Sequence, residues 1–202
     1  MAYPPADHAE MLPTIARLDR FWRDLPGSAS IPHRRDVTGA DMGSCIDAAF
    51  LIDWPGAGEA TFRIASPFAA TATPRALFVG EDRRRMAQLL ARTALEPARC
   101  RVSFDVCPGG LWKAGQGQML LLPLRSGDGA IGRIFGGLDI APWQVVLAGG
   151  LRITGEWIET LHPVPREPPV RRGHLRLVHD AGGSADQPPA ARGPAPRLGV
   201  VS

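Results

Sequence analysis

The chain has 202 residues, of which 45% are hydrophobic and 21% are charged, and these values predict one globular domain with a buried core. No apolar run reaches the roughly 18 residues of a membrane-spanning helix, and the first residues lack the layout of a secretory signal, so we expect a cytoplasmic protein without a membrane partner. The net charge of +3 comes from residues 163–202, which hold six arginines and three acidic residues, and the neutral remainder argues against a nucleic-acid-binding face.

The N-terminal segment has the spacing of a helix with one apolar stripe. Ile15, Leu18, Trp22 and Leu25 follow one another at intervals of three or four residues, on a helix that begins near Pro13. This is also the spacing of a coiled coil, although it lasts for only about two heptads. Two interpretations stay open, a helix packed on its own domain and a helix paired with a second copy. We predict a homodimer with Ile15, Leu18, Trp22 and Leu25 at its interface.

The next segment predicts a short helix and then a hairpin. A threonine and an aspartate ahead of spaced apolar residues are typical of a helix start, and we place this helix at residues 38–49. A turn rich in proline and glycine then separates two apolar runs. The second run alternates, with Phe62 and Ile64 on one face, so the pair predicts antiparallel strands at residues 50–54 and 59–65.

The middle of the chain predicts further helices. Residues 67–80 are mostly small and are divided by Pro74, so this stretch is too short for one long helix. The strongest helix follows at residues 81–95, with an apolar stripe and with acidic residues at its start, where the helix dipole favours negative charge. We interpret the arginines at 83–85 as a solvated helix face, because acidic residues precede them and no aromatic residue interleaves with them.

Three strands complete the pattern. Residues 100–107 alternate between apolar and polar, residues 116–125 are nearly all apolar, and residues 131–140 alternate again after a glycine-rich turn. Pro123 predicts an edge or a bulge in the second of these strands, because proline cannot donate to the ladder. We therefore predict an α+β fold with a five-stranded antiparallel sheet and helices on one face.

Several short motifs, taken in their order, resemble those of small, stand-alone bacterial PAS-domain proteins. The opening pattern of such proteins, a tryptophan and then Pro-x-Arg-x-Asp, falls on Trp22, Pro32, Arg34 and Asp36. A later pattern has leucines before Pro-Leu, then an arginine and a glycine on the next strand, and it falls on residues 120–124, Arg133 and Gly136.

The resemblance implies a PAS-like sensor domain at residues 31–160, preceded by a helix and linker at residues 1–30. It also implies short helices at residues 67–80, an added strand at residues 151–158 and a regulatory or scaffold role in signal transduction. We predict that residues 161–202, which are rich in proline and arginine, form a disordered tail. Within this tail, residues 170–178 are read as plain disorder, as an added strand on a partner or as a basic contact.

The motifs of specialised PAS chemistry and of enzymes are missing from the sequence. Cys45, Cys100 and Cys107 lack the setting of a flavin-photosensor cysteine and match no zinc or redox spacing, so we interpret them as buried thiols. His33 precedes the predicted core and the other histidines lie outside it, which does not support a haem ligand. The sequence has no phosphate-binding loop, nucleophile elbow or metalloprotease motif. We therefore predict a non-enzymatic protein without a cofactor or a metal site.

The inward faces of the predicted strands are apolar, which predicts a ligand pocket. Counting alternate residues along each strand places nine residues on these faces: Phe62, Ile64, Val102, Phe104, Leu120, Leu122, Ile134, Gly136 and Leu138. An inward glycine leaves room that a side chain would otherwise fill. The pattern therefore predicts an apolar cavity for a neutral or fatty small molecule.

Two functions from different classes stay open. The first is a sensor, in which a small apolar ligand or a partner protein shifts a packing equilibrium. The second is a ligand-free adaptor, in which the core is filled by its own side chains and the surfaces engage a signalling enzyme. The sequence names neither the ligand nor the downstream partner.

Overall fold

Six antiparallel strands form one sheet in the computed structural model, which describes residues 10–28, 30–56, 58–64, 73–108, 112–141 and 150–161. The strands are β1 (Ala49–Asp53), β2 (Thr61–Ile64), β3 (Ala98–Val106), β4 (Gly115–Arg125), β5 (Ile131–Ala141) and β6 (Leu151–Thr160). Their order across the sheet is β2-β1-β5-β4-β3-β6, so β2 and β6 lie at its edges.

Three α-helices accompany the sheet in the described residues: α1 (Pro13–Asp24), α2 (Gly39–Met42) and α3 (Asp82–Leu95). Short 3-10 helices cover Arg34–Asp36, Gly43–Ala48 and Pro74–Leu77. The single helix predicted for residues 38–49 is therefore divided into α2 and a 3-10 helix. The division falls at Gly43, whose φ of 53° suits glycine and ends α2.

The sheet is buried on both faces. On the inner face, defined here as the face against α3, apolar residues of β1, β3, β4 and β5 form one cluster with Met86 and Leu90. On the outer face, other residues of β1, β4 and β5 form a second cluster with Leu18 and Trp22 of α1. Because both faces are covered, β4 is apolar along most of its length instead of alternating.

The predicted α+β fold with an antiparallel sheet is confirmed, and the sheet has one strand more than the five of the core prediction. The additional strand is β6, which corresponds to the added strand expected at residues 151–158. It pairs with β3 along the whole of that strand, from Ala98 opposite Thr160 to Val106 opposite Leu151. Helices were predicted on one face only, but they cover both faces of the sheet, because the apolar stripe of α1 packs on the face opposite α3.

Pro123 lies in a part of β4 that has only β5 as a neighbouring strand. The pairing of β4 with β3 ends at Leu121, whereas its pairing with β5 continues to Arg125. The chain after α1 lies beside this end of β4: the Arg125 N–H donates to the Pro32 carbonyl at 2.9 Å, and His33 forms a parallel bridge to Arg125. The 3-10 helix that follows His33 is therefore held near the β4–β5 turn.

Two predictions concern residues outside the described ranges. The predicted disordered tail at residues 161–202 lies outside them apart from Leu161, and residues 67–72 of the predicted short helices lie outside them as well. Among the helices that the structure describes, none has both the length and the hydrophobicity needed to span a membrane.

Candidate functional site

Most of the predicted pocket residues lie together on the inner face. Val102, Phe104, Ile134 and Leu138 are at most 1% exposed, and all of them belong to the inner cluster. Phe62 is half-buried and packs against the same cluster. The alternation of β3 and β5 therefore placed Val102, Phe104, Ile134 and Leu138 on the correct face.

The orientation predicted for Leu120 and Leu122 was wrong, because both side chains lie on the outer face with α1. Met119 and Leu121 occupy the inner positions of β4. A nearly continuous apolar run has no alternation from which the inward residues can be identified. Ile64 also lies outside the core, since it is 57% exposed at the end of the edge strand β2.

The space in front of the inward glycines is filled by aromatic rings. A Cβ atom placed on Gly136 would lie 2.7 Å from Cε2 and Cζ of the Phe50 ring and would collide with the backbone oxygen of Leu120. A Cβ atom placed on Gly117 would lie 2.8 Å from the same two atoms of the Phe104 ring. These separations are shorter than van der Waals contact, so glycine at these positions admits a ring of the protein itself.

Four surface clefts of the described residues contain almost none of the predicted pocket residues. Phe104 is the one predicted pocket residue that lines any of these four, and it borders a cleft of about 410 Å³ together with polar residues such as Ser103, Gln118 and Thr154. At the positions predicted for the ligand, the inner face is therefore filled by side chains of the protein.

The apolar stripe of α1 is buried against its own sheet. Ile15 and Leu18 are fully buried, Trp22 is 2% exposed and Leu25 is 7% exposed. The Trp22 indole N–H also donates a hydrogen bond to the Pro123 carbonyl at 3.2 Å. The structure thus shows the first of the two interpretations, and the stripe is inaccessible to a second copy unless α1 leaves the sheet. The homodimer itself stays a prediction.

A buried ion network joins α1 to β3 and β6. Arg99 of β3 donates from Nη1 to Asp19 Oδ1 of α1 at 2.9 Å and from Nη2 to a carboxylate oxygen of Glu159 in β6. Asp19 also accepts a hydrogen bond from Arg23 Nε at 2.8 Å. The Trp157 ring centroid lies 5.6 Å from Arg99 Cζ, within cation–π range. We refer to these contacts as the Asp19–Arg99–Glu159 network.

The network places two opposite charges where little water reaches them. Arg99 is 3% exposed and Asp19 is 7% exposed. Burial lowers the pKa of the Arg99 guanidinium, and attraction to Asp19 acts in the opposite direction. Because arginine remains charged in proteins and an unpaired buried charge is costly, each of the two groups needs the other in place. The pair therefore fixes the position of α1 on the sheet.

Sequence reasoning missed this network because its members are far apart in the chain. Asp19 and Arg99 are separated by 80 positions, and each fits an ordinary local pattern. A local signal existed in the helical spacing of Asp19 and Arg23, which form an i,i+4 ion pair. That spacing indicates a surface pair and does not reveal the buried arginine on β3.

Polar contacts also attach the added strand to α3. The Ile153 backbone N–H donates to Asp82 Oδ2 at 3.0 Å. Arg85 Nη2 lies 2.9 Å from Glu156 Oε1, and its Nη1 donates to Asp82 Oδ1 at 3.2 Å. This strand is therefore bonded directly to α3, and it is linked to α1 through Arg99 of β3, which binds both Glu159 and Asp19.

Arginines from separate parts of the chain meet in one cleft at the end of the sheet. The cleft has a volume of about 570 Å³ and is lined by His33, Arg34, Arg35, Arg63, Arg125, Ser126, Gly127 and Arg133. We call it the arginine cleft. The resemblance drew attention to Arg34 and Arg133, but it assigned neither residue a role in binding. Their convergence depends on the position of residues 32–36 beside β4, which no sequence spacing reveals.

All three cysteines are free and buried, which confirms their interpretation as buried thiols. Burial raises the pKa of the Cys100 thiol, whose sulfur lies 3.2 Å from the Thr93 hydroxyl oxygen, so this thiol is protonated at neutral pH. Within the described ranges, no three His, Cys, Asp or Glu side chains are grouped so as to hold a metal ion.

A comparison with protein-family models finds a match to a family described as PAS domain, over residues 11–139. Neither the curated proteins nor the solved structures include a match to this chain. The matched segment begins just before α1, ends within β5 and covers more than half of the chain. This chain therefore belongs to the PAS domain family.

Proposed function

We propose that this protein is a regulatory PAS domain that works as a ligand-free adaptor, with a core filled by its own side chains and with surfaces that engage a signalling partner. PAS domains have sensory or regulatory roles and are generally non-catalytic. The alternative function is a sensor that binds a small apolar ligand inside the core.

The contact between Phe50 and Gly136 is the observation that carries this proposal. Phe50 is 2% exposed, and its ring occupies the space that an inward glycine would otherwise leave for a ligand. The Phe104 ring has the same relation to Gly117. An apolar ligand would have to displace these rings from a closely packed interior, whereas an adaptor needs no internal space.

Mass spectrometry of the full chain, purified under mild conditions and then denatured, tests the choice between adaptor and sensor. We expect the mass of the polypeptide without an apolar small molecule in stoichiometric amount. The native protein should also leave a hydrophobic dye such as ANS unbound, because the space in front of Gly136 and Gly117 is filled by aromatic rings. Recovery of a stoichiometric apolar molecule would overturn the adaptor proposal in favour of the sensor.

The homodimer is a separate proposal, and the structure changes what it requires. A dimer through Ile15, Leu18, Trp22 and Leu25 needs α1 to leave its own sheet and to pack on that of a second copy, as in domain swapping. Light scattering at tens of micromolar measures the assembly. A dimer mass supports the proposal, and a monomer mass contradicts it.

A further inference from the structure

The arginine cleft holds more positive charge than the carboxylates beside it can balance. Its lining includes five arginines: Arg34, Arg35, Arg63, Arg125 and Arg133. The ion pairs of the described residues place two carboxylates on these arginines, Asp53 and Asp36. The cleft therefore has a surplus of positive charge in one small volume.

Asp53 is shared between two of the five arginines. Arg63 Nη1 donates to Asp53 Oδ2 at 3.2 Å. Arg133 Nε lies 3.3 Å from Asp53 Oδ1, although that oxygen is buried and makes no hydrogen bond. Arg35 is 82% exposed at its side chain and lies 3.8 Å from Asp36, which is a weak surface pair.

The two remaining arginines have no acidic partner among the described residues. Arg34 and Arg125 are both half-buried, and neither forms an ion pair within those ranges. Arg34 Nε is buried and has no hydrogen-bond partner. A buried donor without an acceptor is costly, and most such groups in proteins are satisfied. Arg34 Nε therefore offers a donor that an acceptor bound in the cleft can satisfy.

We propose that the arginine cleft binds a small molecule with a phosphate or pyrophosphate group. The planar guanidinium offers paired donors that match phosphate oxygens, and several of them converge here. The volume of about 570 Å³ lies within the usual range of small-ligand sites. The lining consists of arginines, a histidine, a serine and a glycine, so recognition relies on charge and not on apolar contacts. A phosphorylated protein segment would also need apolar anchors for its flanking residues, which this lining lacks.

The position of the cleft gives the bound anion a structural effect. Arg34 follows the segment that leaves α1, whereas Arg125 and Arg133 flank the β4–β5 turn. An anion between these groups would add charged contacts to the Pro32–Arg125 hydrogen bond that already joins the two segments. The ligand would thus stabilise the connection between α1 and the sheet. This inference goes beyond the adaptor proposal, because the cleft lies outside the core.

Isothermal titration of the full chain with pyrophosphate, at low and constant ionic strength, measures the binding. We expect Arg34→Gln and Arg125→Gln each to weaken it by about tenfold, the value expected for a lost hydrogen bond to a charged group. Arg84→Gln is the matched control, since Arg84 is exposed on α3 and does not line the cleft. This variant removes the same charge and should leave the affinity unchanged.

Three results would overturn the proposal. These are the absence of pyrophosphate binding at millimolar concentration, an equal loss of affinity in Arg84→Gln, and binding of a phosphorylated peptide without binding of pyrophosphate. The second result would indicate diffuse attraction by a basic chain, and the third would indicate a protein partner. If Arg34→Gln does not fold, Arg125→Lys replaces it, because lysine keeps the charge and loses the paired donors. None of these outcomes depends on whether the core holds a ligand.

Discussion

The two faces of the sheet are closed in different ways. On the inner face, the rings of Phe50 and Phe104 fill the space in front of Gly136 and Gly117. The outer face is closed by the apolar stripe of α1 together with the buried Asp19–Arg99 pair. Apolar contacts are not directional, whereas a buried ion pair is satisfied in few geometries. The inner face is therefore filled at these two glycines, and the outer face gives α1 one defined position.

This difference indicates where a regulatory change has to act. Where Phe50 and Phe104 fill the inner face, a ligand could enter only after these rings move. The outer face is covered by α1. This helix is held there by the Asp19–Arg99–Glu159 network and by the chain segment beside the arginine cleft. A change there can act on α1 while the sheet stays intact. The predictions below test this contrast, from the largest expected effect to the smallest.

Trp22→Ala should have the largest effect, about 4 kcal/mol of lost stability, because it removes a buried aromatic side chain and its hydrogen bond to Pro123. Urea denaturation measures the free energy of unfolding. Trp112→Ala is the matched control, since Trp112 is 62% exposed, and it should change stability by no more than about 0.5 kcal/mol. A loss below about 1 kcal/mol in Trp22→Ala would show that α1 contributes little to the folded domain.

Arg99→Met should cost about 3 kcal/mol, because it leaves the Asp19 carboxylate buried without its main partner. The double variant Asp19→Leu with Arg99→Met should recover most of this loss, since no unpaired charge remains. Denaturation of both single variants and of the double variant completes a double-mutant cycle. Additive losses would contradict the coupling between α1 and β3.

Gly136→Ala should cost about 2 kcal/mol, because its Cβ atom meets the Leu120 backbone and the Phe50 ring. Gly137→Ala is a control on the outer face, where the new atom meets the end of the flexible Leu18 side chain and lies 3.3 Å from the Ala48 oxygen. We expect a smaller loss in this control, because Leu18 can move more easily than a strand can. Unchanged or increased stability in Gly136→Ala would reveal free space in the inner core.

Glu159→Gln should have the smallest effect, below about 1 kcal/mol, because the Glu159 side chain is 43% exposed and water can replace its contact with Arg99. Thermal and urea denaturation check this value beside Arg99→Met. A loss as large as that of Arg99→Met would mean that Glu159 and Asp19 contribute equally, and that exposure does not weaken the outer part of the network.

The sequence predicted helices and strands well where apolar residues recur at regular intervals. The spacing of Ile15, Leu18 and Trp22 predicted α1, and the alternation of β3 and β5 predicted which of their side chains face inward. The pattern failed at Leu120 and Leu122, where an apolar run is compatible with either face. The predicted pocket therefore contained correct inner residues beside two that contact α1.

The amino-acid sequence by itself determined the helices, the strands and the apolar character of the protein, because these depend on residues a few positions apart. Only the tertiary structure decided that Phe50 fills the space at Gly136, that Arg99 meets Asp19 and that Arg34 lies beside Arg125. Each of these pairs joins residues distant in the chain, and their contact depends on strand order and register. Spacing along a sequence carries no information about such contacts, because the same local periods are compatible with many arrangements of a sheet.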